Sequence, residues 1–203
     1  IMAVIEADML ATGPNGQTAA NSNTINGAKH RMIGSGTNET IAIEDFANAL
    51  YALKKANVPA ENLIAIVDPT VEIKFNKEPN LINWSTPSPR WDGIIETGIA
   101  SGMKFIRNVM GFDVYTSQNL KVNTTSEAID GVTAAAGVNN IFFSASADVL
   151  PIVGLMRQPL RVDSEYNKDK QREEYVTTCR YDFALYRPEN FVTIVTDTDQ
   201  AYA

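Results

Sequence analysis

Hydrophobic positions recur with helical spacing most clearly in TIAIEDFANALYALKKANVP, where Ile43, Phe46, Ala47, Leu50 and Leu53 fall on one side. Glu44 and Asp45 at the start and Lys54 and Lys55 at the end complement the helix dipole, and Asn57 and Pro59 stop the helix. The opening IMAVIEADMLA reads as the end of a helix already under way, which implies a preceding segment, and Thr12 to Asn38 reads as an extended loop. LIAIVDP (Leu63 to Pro69) has the aliphatic density of a buried strand. In GFDVYTSQNL, Gly111 supplies a turn, and Phe112 and Val114 share one strand face while Asp113 and Tyr115 share the other. NIFFSA (Asn140 to Ala145) is a further short strand, and ADVLPIVGLM a short helix with Pro151 near its first turn. In YVTTCRYDFALY, Tyr175, Thr177, Cys179, Tyr181, Phe183 and Leu185 alternate with a second set, predicting a long two-faced strand. FVTIV (Phe191 to Val195), after the turn signal RPEN, is expected to be its antiparallel partner.

Between these elements the chain is polar. Thr70 to Asp92, with NWSTPSPRW, reads as a surface excursion, and Lys121 to Val138 is again polar and glycine-spaced. At 203 residues the chain has room for a real core in one domain or two small ones. No apolar run approaches the length needed to span a bilayer, so no membrane role is expected, and no secretory signal opens the chain. Cys179 is the single cysteine, which excludes an internal disulfide and a cysteine-based zinc site and fits a reducing compartment. A formal net charge of -7 works against a general nucleic-acid coat, because phosphate affinity comes from clustered Lys and Arg.

The chemical motifs are weak. Asp163, Glu165, Asn167, Asp169 and Glu174 fall on the spacing of a calcium loop, but Lys168 stands where a glycine is required and the flanks read as strands. A solvated charged hairpin end is the simpler reading. GSGT (Gly34 to Thr37) precedes a helix as a phosphate cradle would, yet lacks the Gly-Lys-Ser/Thr ending, and reads as a flexible turn. His30, the lone histidine, lies in a polar loop with no nucleophile elbow nearby. The pairs Glu44/Asp45 and Glu173/Glu174 read as dipole partners and solvated charge rather than as an acid and a base. The sequons at Asn38, Asn83 and Asn123 are chance matches without a secretory route. Cys179, set among aromatics, reads as a small buried hydrophobe. Catalytic, cofactor and metal sites are therefore not assigned.

Several segments in order carry a resemblance that spans nearly the whole chain: IMAVIEADMLATG; GSGTNETIAIEDFANALYALKKANVPAENLIAIVDP; PNLIN and PRWDGIIETG; GFDVYTSQNL; FFSASADVLP; and RQPLRVDSEYNKDKQREEYVTTCRYDFALYRPENFVTIVTDTDQ. This set resembles the major capsid proteins of tailed bacteriophages, of the short-tailed podovirus type. The resemblance implies the α+β Hong Kong 97 phage shell fold, with an axial and a peripheral domain. Residues 1–56 would connect the two, 57–155 would be mainly axial, and 156–203 mainly peripheral. The family's N-terminal arm and extended loop find no match here.

What the resemblance implies is a structural protein, not an enzyme. It would self-assemble into hexamers and pentamers that enclose double-stranded DNA in the virion without binding it specifically, after assembly in the bacterial host cytoplasm. Portal and scaffolding proteins would be its partners, and no cofactor is expected. The proline-aromatic loop with Trp84, Arg90 and Trp91, and the charged turn with Asp163, Glu165 and Arg172, are the interface candidates. Two other classes compete: a nanocompartment shell of the same fold enclosing an enzyme, and a small nucleotide-binding enzyme using the Gly34 to Glu44 loop.

Overall fold

The computed structural model describes residues 2–17, 23–77, 104–129, 132–134 and 136–197. Its centre is a six-stranded mixed sheet in the order β3-β12-β9-β4-β6-β5. In chain order the elements are helix α1 (Met2–Gly16), the small hairpin β1 (Thr24–Ile25) and β2 (Ala28–Lys29), β3 (Arg31–Ile33), helix α2 (Ile43–Lys55), β4 (Leu63–Val67) and helix α3 (Pro69–Lys77). There follow β5 (Lys104–Val109), β6 (Phe112–Thr116), the hairpin β7 (Glu127–Ile129) and β8 (Val132–Ala134), and β9 (Val138–Ser144). The chain ends with β10 (Ile152–Asn167), β11 (Arg172–Leu185) and β12 (Val192–Thr196).

The alternation along each strand explains the two layers on the sheet. Leu63, Ala65 and Val67 of β4 face α2 together with Phe112, Val114, Phe142, Val192 and Ile194. Ile66, Ile141 and Phe191 face the other way, toward Leu10 of α1 and the foot of the long hairpin at Ile152 and Leu185. Phe46 of α2 meets Phe112 and Phe142 edge-on, with centroids 6.2 and 5.1 Å away, a preferred aromatic geometry.

The expected α2 is present, and its stop has a mechanism. Asn57 takes a left-handed φ of 58°, and the amides of Asn57 and Val58 turn back onto Lys54 O and Leu53 O, which satisfies the orphan carbonyls of the last turn. β6 is as expected, with Phe112 and Val114 fully buried. Met110 and Gly111, both at positive φ, make the two-residue turn that joins it to β5.

Several expectations are corrected. The stretch from Thr12 is not one extended loop: α1 continues to Gly16, and Asn26-Gly27, at φ 51° and 79°, closes the β1–β2 hairpin. The expected excursion opens as a helix, Pro69–Lys77, and its remainder with NWSTPSPRW lies outside the described residues. Pro69 occupies the first turn of the helix, where a missing N–H costs nothing, and Asp68 caps it by accepting the Thr70 N–H at 2.9 Å. The polar stretch after Lys121 holds the β7–β8 hairpin. ADVLPIVGLM is not a helix: a single turn at Ala147–Val149 precedes Pro151, and Ile152 already starts β10. FVTIV does not pair with YVTTCRYDFALY. It lies between β9 (antiparallel) and β3 (parallel), and β10 partners β11 instead. The five residues of β12 are buried throughout, so the aliphatic run needed a strand on each side, which a hairpin arm does not have.

Candidate assembly surface

The long hairpin is the chain's most unusual feature. Its strands pair from Ile152↔Leu185 to Asn167↔Arg172, with register shifts between Met156 and Arg161, and within the described chain they pair only with each other. Opposed residues share a face, so Ile152, Met156, Val162, Tyr166, Tyr175, Cys179, Tyr181, Phe183 and Leu185 lie on one face, with Ser164 and Glu173 among them, and most of the charged residues lie on the other. Helix α1 covers the foot of the apolar face. The Tyr181 hydroxyl donates to the Asp8 carboxylate, which holds the phenol above its usual pKa, and a β-carbon at Gly16 would stand 3.0 Å from Leu185. Alternate burial along β11 therefore holds only from Cys179 to Leu185, and Cys179 itself is half-buried rather than enclosed. Beyond α1 the same face lies open, with Val162 59%, Tyr166 56% and Tyr175 64% exposed. A two-stranded ribbon is marginally stable alone in water, and contiguous exposed apolar surface marks an interaction site.

The opposite face holds the charged candidates. Asp163, Glu165 and Arg172 are brought onto this one face near the tip. Arg161 Nε donates to Asp163 at 2.8 Å, and Arg172 Nε donates to Glu174 at 2.9 Å. Glu165 and Glu174 are directly opposed, an unfavourable like-charge pair that Arg172 and Asn167 offset by donating to Glu174. At the tip the Asn167 side chain accepts the amides of Asp169 and Lys170, and Gln171 takes φ 51°. This is a closed hairpin turn and not a calcium loop. Trp84, Arg90 and Trp91 lie outside the described residues. The exposed Tyr166, Tyr175, Leu155 and Tyr186 were not singled out from sequence. For Tyr175 the signal was the aromatic alternation of β11, continued for more residues than α1 can cover, whereas Leu155 stands opposite Asp182 on the other face.

The remaining motifs are accounted for by structure. The amides that a phosphate would need at Gly34 to Ala42 are already used: Ser35 N and Ala42 N donate to Asp45 at 3.1 and 2.8 Å, Gly34 N to Val195 O, and Gly36 N to Thr40 O. Far from being a flexible turn, the loop is wrapped around Asp45, which is buried rather than solvated. A shallow cleft lined by Thr40, Ile41, Thr70, Val71, Lys74 and Thr196 lies beside it, with the Lys74 ammonium donating to the Thr40 hydroxyl. His30 is fully buried, not in a polar loop. Among the described residues no three His, Cys, Asp or Glu side chains converge as a metal site, and no helix is long and apolar enough to cross a membrane.

The mixed helix and sheet architecture has the fold of phage capsid structures. The capsid protein of cyanophage P-SCSP1u matches 93% of the chain with a TM-score of 0.58 at 19% identity, and the match covers 59% of that protein. A structure of Mycobacterium phage Che8 matches 94% with a TM-score of 0.53 at 18% identity, covering 56% of that chain. The holo-SrpI encapsulin complex of Synechococcus elongatus PCC 7942 matches 98% with a TM-score of 0.56 at 15% identity, covering 62% of that chain. The chain thus spans 56% to 62% of the length of these solved chains. No protein-family model and no curated protein matches it.

Proposed function

We propose that this chain is a structural major capsid protein whose copies assemble into the hexamers and pentamers of a closed icosahedral phage head. The observation that carries the reading is the long hairpin, which extends from a shell-protein fold with apolar residues exposed beyond α1. Closed shells need surfaces that meet copies of the same chain repeatedly, and many modest contacts sum over each subunit. The six-stranded sheet with α2 and α3 takes the axial role, and α1 with β10–β11 the peripheral role. β12 then goes with the axial part, which narrows the peripheral share of residues 156–203. The short-tailed type and the Hong Kong 97 name rest on the collinear segments.

The acidic chain, at -7, suits a shell that encloses double-stranded DNA without gripping phosphates. Portal and scaffolding partners, virion location, assembly in the host cytoplasm and the absence of catalysis follow from the same reading. A second reading, a nanocompartment shell, is favoured by the encapsulin match over 98% of the chain.

The test is negative-stain electron microscopy and sedimentation of the protein expressed from its complete reading frame. Closed particles are expected. Tyr166→Ser with Tyr175→Ser should abolish them while the far-ultraviolet spectrum and melting behaviour stay unchanged, because both side chains are exposed. Particles unaffected by that double variant would remove the hairpin from assembly. Packaged DNA against an enclosed protein separates phage head from nanocompartment, and monomers under all conditions would overturn both.

A further inference from the structure

His30 is the sole histidine of the chain and is fully buried, and both of its ring nitrogens face oxygens that can only accept. Nδ1 lies 3.1 Å from the carbonyl of Ala28, and Nε2 lies 3.1 Å from the carbonyl of Glu189. A neutral imidazole has a single N–H, so it bonds to one carbonyl and turns a lone pair on the other. An imidazolium would serve both, but only by placing a charge where no water reaches. The site is thus undersatisfied in one protonation state and poorly solvated in the other.

Its position gives this conflict a consequence. Ala28 belongs to β2, next to the sheet, whereas Glu189 lies in the single turn Pro188–Asn190 that returns the long hairpin to β12. The His30 carbonyl accepts from Thr193 N at 2.9 Å, and Gln17, just past α1, donates to the carbonyls of His30 and Phe191. The Asn190 side chain ties the same turn to Ser144 and Val149. The His30 ring thus joins β2 to the hairpin return, while its backbone carbonyl receives Gln17 and β12 of the sheet.

The charges around it are few. Glu189 lies on the turn, as does Arg187, whose guanidinium sits over the Tyr186 ring. Lys29 and Arg31 flank His30 in the chain, and Arg31 is paired with Glu127 of β7. From α1 and β12 the facing residues, Gln17 and Thr193, are uncharged. Burial lowers the His30 pKa, and the two carbonyls and the Glu189 charge oppose that shift. Burial prevails, so the neutral form is the seated one.

We propose that His30 is an acid-released latch between the sheet and the return of the long hairpin, seated while neutral and expelled toward the Glu189 carboxylate when it takes a proton. This inference is independent of whether the chain builds a shell. A latch at this place would let acid change how the hairpin sits on the sheet without unfolding either.

Deuterium exchange read by mass spectrometry tests it on the whole chain, assembled or not. Exchange of the His30 ring carbon hydrogen gives its titration directly. Amide exchange of the peptide from Arg187 to Thr193, corrected for the intrinsic pH dependence, reports the turn. His30 is expected to titrate below 6.5, and protection of that peptide to fall in the same interval, by up to about tenfold per pH unit. His30→Gln keeps a donor but cannot take a proton in this range, so its protection should be flat there. An ordinary or raised His30 titration, unchanged protection across it, or the same slope in His30→Gln would each overturn the latch. If His30→Gln does not fold, the first two readouts on the unaltered chain decide.

Discussion

Gly154 stands directly opposite Phe183 across the long hairpin, and a β-carbon at 154 would lie 2.7 Å from Phe183 Cε1. The ring lies over the glycine, and Tyr181, two residues along the same face, packs against it at a centroid distance of 5.6 Å. Gly154→Val should therefore displace the ring and destabilise the foot of the hairpin by about 1–3 kcal/mol. Urea unfolding measures this. An unchanged midpoint would show that the ring has room to move.

Helix α1 is seated by a similar contact. A β-carbon at Gly13 would fall 1.9 Å from Phe191 Cζ, inside the ring. Gly13→Ala is expected to push α1 off the sheet and cost about 1–3 kcal/mol, although alanine is the better helix former. Phe191→Leu in the same chain should recover part of the loss. A double-mutant cycle with no coupling would place the cost elsewhere.

Asp45 closes the loop ahead of α2 by accepting Ser35 N and Ala42 N. With alanine at 42 no side chain returns the bond, so this is half of a capping box. Asp45→Ala should cost at least about 1–3 kcal/mol, since it leaves partly buried donors unmade. Thermal melting reads the loss. Calorimetry with phosphate should show no binding to the unaltered chain, because the chain's own carboxylate occupies those amides.

Tyr181 links α1 to β11 through Asp8, and this hydrogen bond raises the phenol pKa above 10.0. Because the neutral phenol is the bonded form, the link is intact below pH 10.0 and is lost as pH rises through the folded pKa. Spectrophotometric titration should show late-ionising tyrosines. Asp8→Asn should bring one of them back toward the ordinary value. The other, Tyr175, is raised by its own hydrogen bond to Glu173 and should not move.

Local elements were legible wherever the chain's own pattern was sufficient. The α2 periodicity, the alternation of β6, the dense β4 and β9, and the charged hairpin turn could all be read from neighbours a few residues apart. The Asn26-Gly27 turn, inside a stretch that reads as loop, and the Asp68-Pro69 helix start, at the end of a run that reads as strand, were equally written in the sequence. The resemblance pointed to the shell fold that the solved structures share.

Partners were not legible. YVTTCRYDFALY and FVTIV are both good strands separated by a turn signal, and nothing local says that the first returns to Ile152–Asn167 while the second enters the sheet. Only the assembled sheet, with buried neighbours offered by β9 and β3, settles that choice. Likewise, the polar surroundings of His30 hid a fully buried ring, because its enclosure comes from Glu189, 159 positions away. The sequence by itself determined α2, β4, β6, β9 and β11 and the apolar faces of α2 and β6, since those depend on short-range periodicity. Tertiary structure decided which strand each edge meets, how far α1 covers the hairpin and which apolar residues stay exposed, because these depend on contacts that no local pattern encodes.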